Sequence, residues 1–459
     1  MRATEEYERK LDAPVGFRLP RLGGEPLEPR SFTSVYYDVP GASLAAAGIT
    51  LRRRTEHGRS LWQLKLPADG FRLELEEPGG LEVPESMTQL LRAHLRRGPL
   101  EQVAELRTRR SGELVAREGS RAEVTLDEVS IMDSRRVRDR FVEIEVELRS
   151  GDPHELDLIA RELREAGAKR GNETPKLFRA LGLRDAATKD DPAAVEALRS
   201  GLLEQLRAIE AHDPGTRLGR DPESLHDMRV AVRRARALFR TGRRVIAGDM
   251  KAVESGLKEL GRVLGDVRDL DVLIDRLRVE AEGLGEDDRR AFETAIDSLA
   301  RERSAARERL LVALDSDLYL RLLDDLERMA QELRLSGDAA TLPDLVDRQA
   351  AKLRKIAKSL PKDPPDDDLH ALRKAGKRTR YAAELAGDKK LVKRAKELQD
   401  VLGEHQDAVV AAERLRELAA AAEPDAAFAA GRLAEREEAR RLEARKRWPK
   451  AWRRLRKTL

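Results

Sequence analysis

The hydrophobic pattern of this chain changes period once, and no single fold layer accommodates both halves. Up to about residue 182, short alternations of apolar and polar residues recur: EEYERKL (5–11), TSVYYDV (33–39), ITLRRR (49–54), LWQLKL (61–66), FRLELEE (71–77), AELRTRR (104–110), AEVTLDEV (122–129) and FVEIEVEL (141–148). Period two sends successive side chains to opposite faces of a strand, and the Gly-, Pro- and Asp-rich breaks between these segments suit hairpins and loops. Two helical interruptions are expected, at 85–97 and 153–166, the second opening on a proline. From residue 194 onward Ala, Leu, Arg and Glu dominate with a period near 3.6, and breaks at 212–224, 282–288 and 360–368 divide the stretch into helices that fold back on each other. The small, polar segment 183–193 reads as a linker. The expectation is a multidomain chain: an antiparallel β domain with helices over 1–182, then an all-α domain over 194–459.

Composition narrows the chemistry. The chain has 459 residues, more than one hydrophobic core normally serves. It carries 89 Lys+Arg against 85 Asp+Glu, a net charge of +4, so the placement of charge must carry any argument about partners. Cysteine is absent, which excludes disulfides, thiolate zinc sites, iron–sulfur clusters and cysteine nucleophiles. No apolar run approaches the roughly 18 residues of a membrane span, and the opening MRATEEYERKLDAP has no apolar core of the secretory kind. A cytoplasmic location is the expectation.

In the first half the charges alternate with the strands. Glu6, Glu8 and Lys10 share one strand face; so do Arg52 and Arg54, Gln63 and Lys65, Arg72 and Glu74, Arg107 and Arg109, and Glu143, Glu145 and Glu147. An ordinary sheet with one wet face would show this pattern. So would a closed barrel with its charged face inward, whose charges must pair internally or bind ions. Carboxylates suit Mg²⁺ or Mn²⁺, and Arg or Lys suits phosphate oxygens.

The combination of an opening Glu-x-Glu-x-Lys with the LRRR, LWQLK, RLELE and VEIEVEL strands resembles the CYTH family, the triphosphate tunnel metalloenzymes, over residues 1–182. The match closes on Thr174-Pro175-Lys176-Leu177. The resemblance implies a β-barrel tunnel and a metal-dependent phosphohydrolase using Mg²⁺ or Mn²⁺. It implies that Glu6, Glu8, Asp127, Glu145 and Glu147 hold metal, and that Lys10, Arg52, Arg54, Lys65, Arg107, Arg109 and Lys176 line the phosphate path. No Ser–His or Cys–His arrangement is visible, so attack by water is the economical mechanism.

The second half contains an internal repeat. Leu225-His226-Asp227-Met228-Arg229 and the residues after it match Leu369-His370-Ala371-Leu372-Arg373, and KELGRVLGDVRDLDVL (258–273) matches KELQDVLGEHQDAVVA (396–411). At helical spacing His226, Arg229, Arg233, Arg236 and Arg240 share one face, as do His370, Arg373, Lys377 and Arg380. For a lone helix a solvated basic face is the plainer reading. The same order occurring twice favours an anionic ligand that offsets the repulsion.

This half resembles the CHAD family, the α-helical modules associated with inorganic polyphosphate. The resemblance covers 194–459, including the basic segment with Arg453 and Arg454. It implies two pseudo-symmetric four-helix bundles around a basic surface for the polymer. Together the halves read as an inorganic triphosphatase fused to a polyphosphate-binding module, cytoplasmic and drawn to polyphosphate granules, with tripolyphosphate and polyphosphate as partners. One alternative is a non-catalytic, granule-associated binding protein. Another is an enzyme acting on an organic triphosphate such as thiamine triphosphate or ATP. Aromatics are 3% of the chain, which disfavours base stacking and hence nucleic acid as the partner.

Overall fold

The computed structural model describes residues 1–68, 70–133, 136–170, 193–242, 250–333 and 341–459. By contact the chain forms two units: Met1–Thr188 with Glu210–Arg220, and Lys189–Ile209 with Asp221–Leu459.

In the first unit, alternation and tight turns build one antiparallel sheet. Its strands are β1 (Arg2–Glu6), β2 (Glu8–Ala13), β3 (Glu25–Asp38), β4 (Thr50–Glu56), β5 (Arg59–Pro67), β6 (Arg72–Pro78), β7 (Glu101–Arg117), β8 (Ser120–Asp133), β9 (Arg136–Ser150) and β10 (Lys169–Arg170). The helices are α1 (Ser43–Ala46), α2 (Glu85–Leu90), α3 (Arg92–Leu95) and α4 (His154–Glu165). Two hairpins turn on two residues each, His57-Gly58 and Glu118-Gly119, all four with positive φ. That is the backbone of a type I′ turn, whose twist matches the flanking strands.

The strand order is β1-β6-β5-β4-β3-β7-β8-β9-β2-β10. β1 and β2 are consecutive stretches of one extended run, interrupted at Tyr7, yet β1 pairs with β6 and β2 with β9. Covalent continuity between β1 and β2 therefore closes the sheet into a barrel. The Tyr7 carbonyl accepts from the Leu148 amide at 2.9 Å, which stitches the seam.

The apolar faces of most strands point outward, beneath the helices. Leu51, Trp62, Leu64 and Leu75 pack with Leu44, Met87 and Leu91, and Leu11, Leu126, Ile144 and Val146 pack with Leu156, Ile159 and Leu163 of α4. With its hydrophobic residues spent on the outer layer, the barrel keeps its charged residues inside.

The second unit is helical throughout its described residues: α5 (Ala193–Leu218, of which residues up to Ile209 belong here), α6 (Pro222–Gly242), α7 (Lys251–Ala281), α8 (Glu286–Asp315), α9 (Asp317–Gln331), α10 (Leu342–Ser359), α11 (Asp366–Leu385), α12 (Lys389–Ala421) and α13 (Pro424–Arg456). α12 and α13 each run about 50 Å and serve two four-helix cores. Ala411, Leu415, Ala430 and Leu433 pack with Leu277 of α7 and Phe292 of α8. Leu391, Leu398 and Leu455 pack with Leu353 of α10 and Leu372 of α11.

The break expected at 212–224 begins later than the sequence suggests, because α5 continues through Pro214 to Leu218. Tertiary contacts hold it. The buried Glu210 carboxylate accepts from Arg96 at 2.7 Å and from Arg97 at 2.9 Å, and within the helix buried Asp213 accepts from Arg217 one turn on, at 2.6 Å. Such pairing offsets the single backbone hydrogen bond that proline removes.

Candidate functional site

Strand alternation directs charges into the barrel, where a cavity of about 220 Å³ is lined by nine cations (Arg2, Lys10, Arg30, Arg52, Arg54, Lys65, Arg72, Arg110, Arg149) and five carboxylates (Glu6, Glu74, Glu76, Glu145, Glu147), with Thr4, Tyr36, Thr50 and Gln63. Most carboxylates already have cationic partners. Lys65 donates to Glu6 at 2.5 and 2.7 Å and lies 3.6 Å from Glu74. Lys10 lies 3.2 Å from Glu8 and 3.6 Å from Glu145. Arg149 donates to Glu147 at 2.6 Å and to Glu123 at 2.6 and 3.0 Å. Arg52 donates to Gln63 at 2.8 Å and to the Tyr36 hydroxyl at 3.2 Å, and Gln63 passes a hydrogen bond on to Glu76 at 2.7 Å.

Arg54 pairs with Glu56 at 2.6 Å, Arg30 with Glu123 at 3.3 Å, and Arg110 with both Asp127 and Glu145. Burial and the neighbouring Arg52 and Arg110 guanidinia hold Arg54 below its ordinary range, against the pull of Glu56. The Arg54 guanidinium stacks over Phe32 at 3.8 Å. The acids crowd too. Burial raises the Glu147 carboxyl to about 7, and nearby Glu6 and Glu145 add to the rise while Arg149 and Lys65 oppose it.

Among the described residues no cluster of three His, Asp or Glu side chains is arranged for metal binding. The donor chemistry nevertheless fits a hard divalent cation. Glu6, Glu145 and Glu147 line one cavity, and their mutual repulsion is what a bound cation would relieve.

The candidate residues fall into three groups. Glu6, Lys10, Arg52, Arg54, Lys65, Glu145 and Glu147 line the cavity. Glu8 faces the interior beside Lys10, opposite Glu147 in the β2–β9 register, and Asp127 lies wholly buried behind Arg110, accepting at 2.6 and 2.7 Å. Arg107 and Arg109 are not in the cavity. Their side chains are 56% and 75% exposed on the outer face of β7, near Glu105 and Glu128. The inward face of that strand carries Leu106, Thr108 and Arg110, so its alternating arginines mark the wrong side. Arg110 and Arg149 are the phosphate-path candidates the alternation did not single out. Arg110 stands opposite Asp127 in register, a pairing that strand order alone reveals. Lys176 lies outside the described residues.

In the second unit the two copies of the repeat bring α6 and α11 together. Burial lowers the Lys377 amine to about 7, and Arg373, Arg233, Arg229 and Arg380 lower it further by their charge. Burial likewise lowers Arg373, with Asp407 opposing and Arg233 and Arg229 adding to the shift. Both signature histidines are pushed below their ordinary value, His226 by burial and Arg268, His370 by burial, Lys374 and Arg373. Among the described residues no acceptor meets buried Arg233 Nε, Arg373 Nε or His370 Nδ1. Half-buried cations with donors still unmet have the chemistry that an acceptor-rich anion would match.

Each copy holds its first arginine the same way. Arg229 pairs with Asp269 at 2.9 Å and lies against Gly265; Arg373 feels Asp407 and lies against Gly403. These aspartates sit four residues after matching glycines, a Gly-x-x-x-Asp spacing present in both copies. Arg236 and Arg240 line a separate cavity. Arg380 pairs with Glu384 at 3.2 Å. Arg453 and Arg454 are exposed on α13, Arg454 near Glu397 at 3.9 Å and Arg453 donating to its own helix.

Comparison with known proteins agrees with this division. Residues 4–178 match the CYTH domain and residues 200–416 the CHAD domain. An uncharacterized protein of Mycobacterium tuberculosis, found in two strains, is 31% identical over 91% of this chain and 89% of its own. The solved structure of PptA from Streptomyces chartreusis covers 57% of this chain and 98% of its own at 23% identity and a TM-score of 0.50, a likeness of fold. The CHAD domain of the plant Ricinus communis covers 58% of this chain and 94% of its own at 28% identity, with a TM-score of 0.48.

Proposed function

The chain belongs to the CYTH family through residues 4–178 and to the CHAD family through residues 200–416, and from that premise we propose that it is a metal-dependent inorganic triphosphatase joined to a module that binds inorganic polyphosphate. The observation that carries the catalytic half is the tunnel lining, nine cations against five carboxylates in a cavity of about 220 Å³. Glu8, Glu56, Glu123 and Asp127 pair with lining cations from outside the cavity wall, so what favours the reading is the dense placement of both charges around one small space, which suits a highly charged anion accompanied by a cation.

CYTH proteins are metal-dependent. Here Glu6, Glu145 and Glu147, with Glu8 beside them, would hold Mg²⁺ or Mn²⁺, which supplies charge neutralisation of the triphosphate and orientation of the attacking water. The chain's own residues do the rest. Arg52, Arg54, Arg110 and Lys65 bind phosphate oxygens, and the Tyr36–Arg52–Gln63–Glu76 chain of hydrogen bonds fixes the Arg52 guanidinium before substrate arrives. Preset donors of this type stabilise charge on the transferred phosphoryl without reorganising during the reaction. Arg149 bridges Glu147 and Glu123, which holds the late-strand carboxylate in place.

The polymer-binding half rests on Arg229, Arg233, Arg373 and Lys377, whose mutual repulsion an anionic chain would relieve. The described residues that line this cavity are almost all charged or polar, which favours an inorganic substrate over ATP or thiamine triphosphate. The test is phosphate release from tripolyphosphate, ATP and thiamine triphosphate, with Mg²⁺, with Mn²⁺ and with EDTA. Metal-dependent release from tripolyphosphate above the other two is the expected result. No release from any of them, in a folded protein, leaves the polymer-binding reading alone.

A further inference from the structure

The two copies of the helical repeat differ at one end. Aligned on their histidines, Arg229, Arg233 and Arg236 of α6 correspond to Arg373, Lys377 and Arg380 of α11, but the next position is Arg240 in the first copy and Glu384 in the second. The difference changes what lies beyond the central cations. In the second copy Glu384 pairs with Arg380 at 3.2 Å, so the basic stripe ends in a neutralised pair. In the first copy Arg236 and Arg240 open onto a cavity of about 290 Å³, whose other walls are Lys251, Glu254, Ser255 and Lys258 of α7. Among the described residues four cations there face one carboxylate. Arg378 of α11 also feels the charge of Arg240, so the positive field at this end is shared across the helix pair.

We infer that an extended polyanion leaves the α6–α11 cation cluster on the first-copy side only, running past Arg236 and Arg240 into the cavity of Lys251 and Lys258, so that this unit prefers long inorganic polyphosphate to triphosphate. The inference rests on the polyphosphate-binding reading above and adds a direction and a length preference to it. From Arg229 to Arg240 the stripe covers eleven residues, about 16 Å of helix. A triphosphate reaches the central cations or the outer cavity; a long chain reaches both at once. The gain is one of effective concentration, because the second contact becomes intramolecular. Glu384 closes the equivalent exit by presenting a carboxylate where the chain would need a cation.

The experiment measures the affinity of the full chain for tripolyphosphate and for long-chain polyphosphate across a salt series. Lys251→Glu/Lys258→Glu changes two exposed side chains, and Lys352→Glu/Lys355→Glu makes the same change of charge at exposed positions on α10, which do not line the outer cavity. Wild type is expected to prefer the long chain. The Lys251/Lys258 variant should lower the ratio of long-chain to tripolyphosphate affinity about tenfold and flatten the salt slope by about two units. The Lys352/Lys355 variant should keep the wild-type ratio, and Glu384→Gln, by freeing Arg380, should raise long-chain affinity severalfold. An unaltered ratio and slope in the Lys251/Lys258 variant, or the same loss in the Lys352/Lys355 variant, overturns the inference while the polyphosphate-binding reading stands. A wild-type protein that binds neither anion overturns both.

Discussion

Lys65 donates to both carboxylate oxygens of Glu6 across the barrel interior, at 2.5 and 2.7 Å. The two residues come from strands separated by β6 in the sheet, and Glu6 is also a candidate metal ligand. A divalent cation held by Glu6 would compete with the Lys65 ammonium, which would then be available to phosphate.

Glu6→Gln keeps the shape and a hydrogen-bond acceptor for Lys65 but removes the charge. Metal-dependent tripolyphosphate hydrolysis should fall by about 10²-fold or more, with the circular-dichroism melt close to wild type. Near-normal turnover in the folded variant would remove Glu6 from the metal site.

Arg110 and Arg109 are chain neighbours with opposite fates. Arg110→Met strips buried Asp127 of a two-point partner and should cost about 3 kcal/mol of stability. Arg109, exposed beside Glu128, should tolerate Met within about 0.5 kcal/mol. Denaturant titration of the two variants reads the difference directly; equal costs would reverse the assignment of faces on β7.

His94 provides a pH signature for the first unit. Burial, and after it the Arg97 charge, lowers its imidazole from 6.5 to about 4, and its Nε2 lies 3.2 Å from the Glu210 carbonyl. The folded state thus refuses a proton that the unfolded chain accepts. Stability should be lost progressively as pH falls from about 6.5 to about 4, by about 3 kcal/mol in all, and level off below. His94→Gln should flatten that part of the stability profile; an unchanged slope would show that another group governs it.

Lys377 supplies a second titration, with the sign set by its cationic neighbours. With its amine lowered from 10.5 to about 7, folded-state stability should rise with pH between those values. A bound polyanion favours the charged amine, so polyphosphate binding above pH 7 should take up a proton and weaken as pH climbs. Calorimetry in two buffers of different ionisation enthalpy measures the uptake. Lys377→Met should abolish it, and uptake that persists in this variant belongs to another site.

Period-two alternation carried far for strands whose inward face is mostly polar, as at Glu6, Arg52 with Arg54, Lys65, and Glu145 with Glu147. β7 defeated it. There the inward face mixes Leu106, Thr108 and Arg110, while the outward face shows the cleaner run of charge at Arg107 and Arg109. Only the partner strand, with Asp127 wholly buried opposite Arg110, tells the faces apart. In the helical half the arginine stripes were legible from their spacing of three and four. Asp269 and Asp407 were not singled out, because an aspartate on a helix rich in both charges is unremarked until the two copies are laid over each other at Gly265 and Gly403. The helix across Pro214 is a tertiary effect, held by pairs such as Arg96 with Glu210 that lie far apart in the chain.

The seam at Tyr7 also sets an order of events during synthesis. Glu8 faces Glu147 in the closed sheet, and 139 residues separate them along the chain. At roughly 5–20 residues per second, the ribosome makes Glu8 about ten seconds before its opposite number exists. For that interval β2 is an unpaired strand awaiting its neighbour, and the barrel cannot close however soon its hairpins form. Glu8 and Lys10 place charge on that strand, the feature that on folded edge strands discourages pairing with other chains. Closure of the tunnel is thus one of the last events of making this domain, set by where its two seam strands lie in the chain.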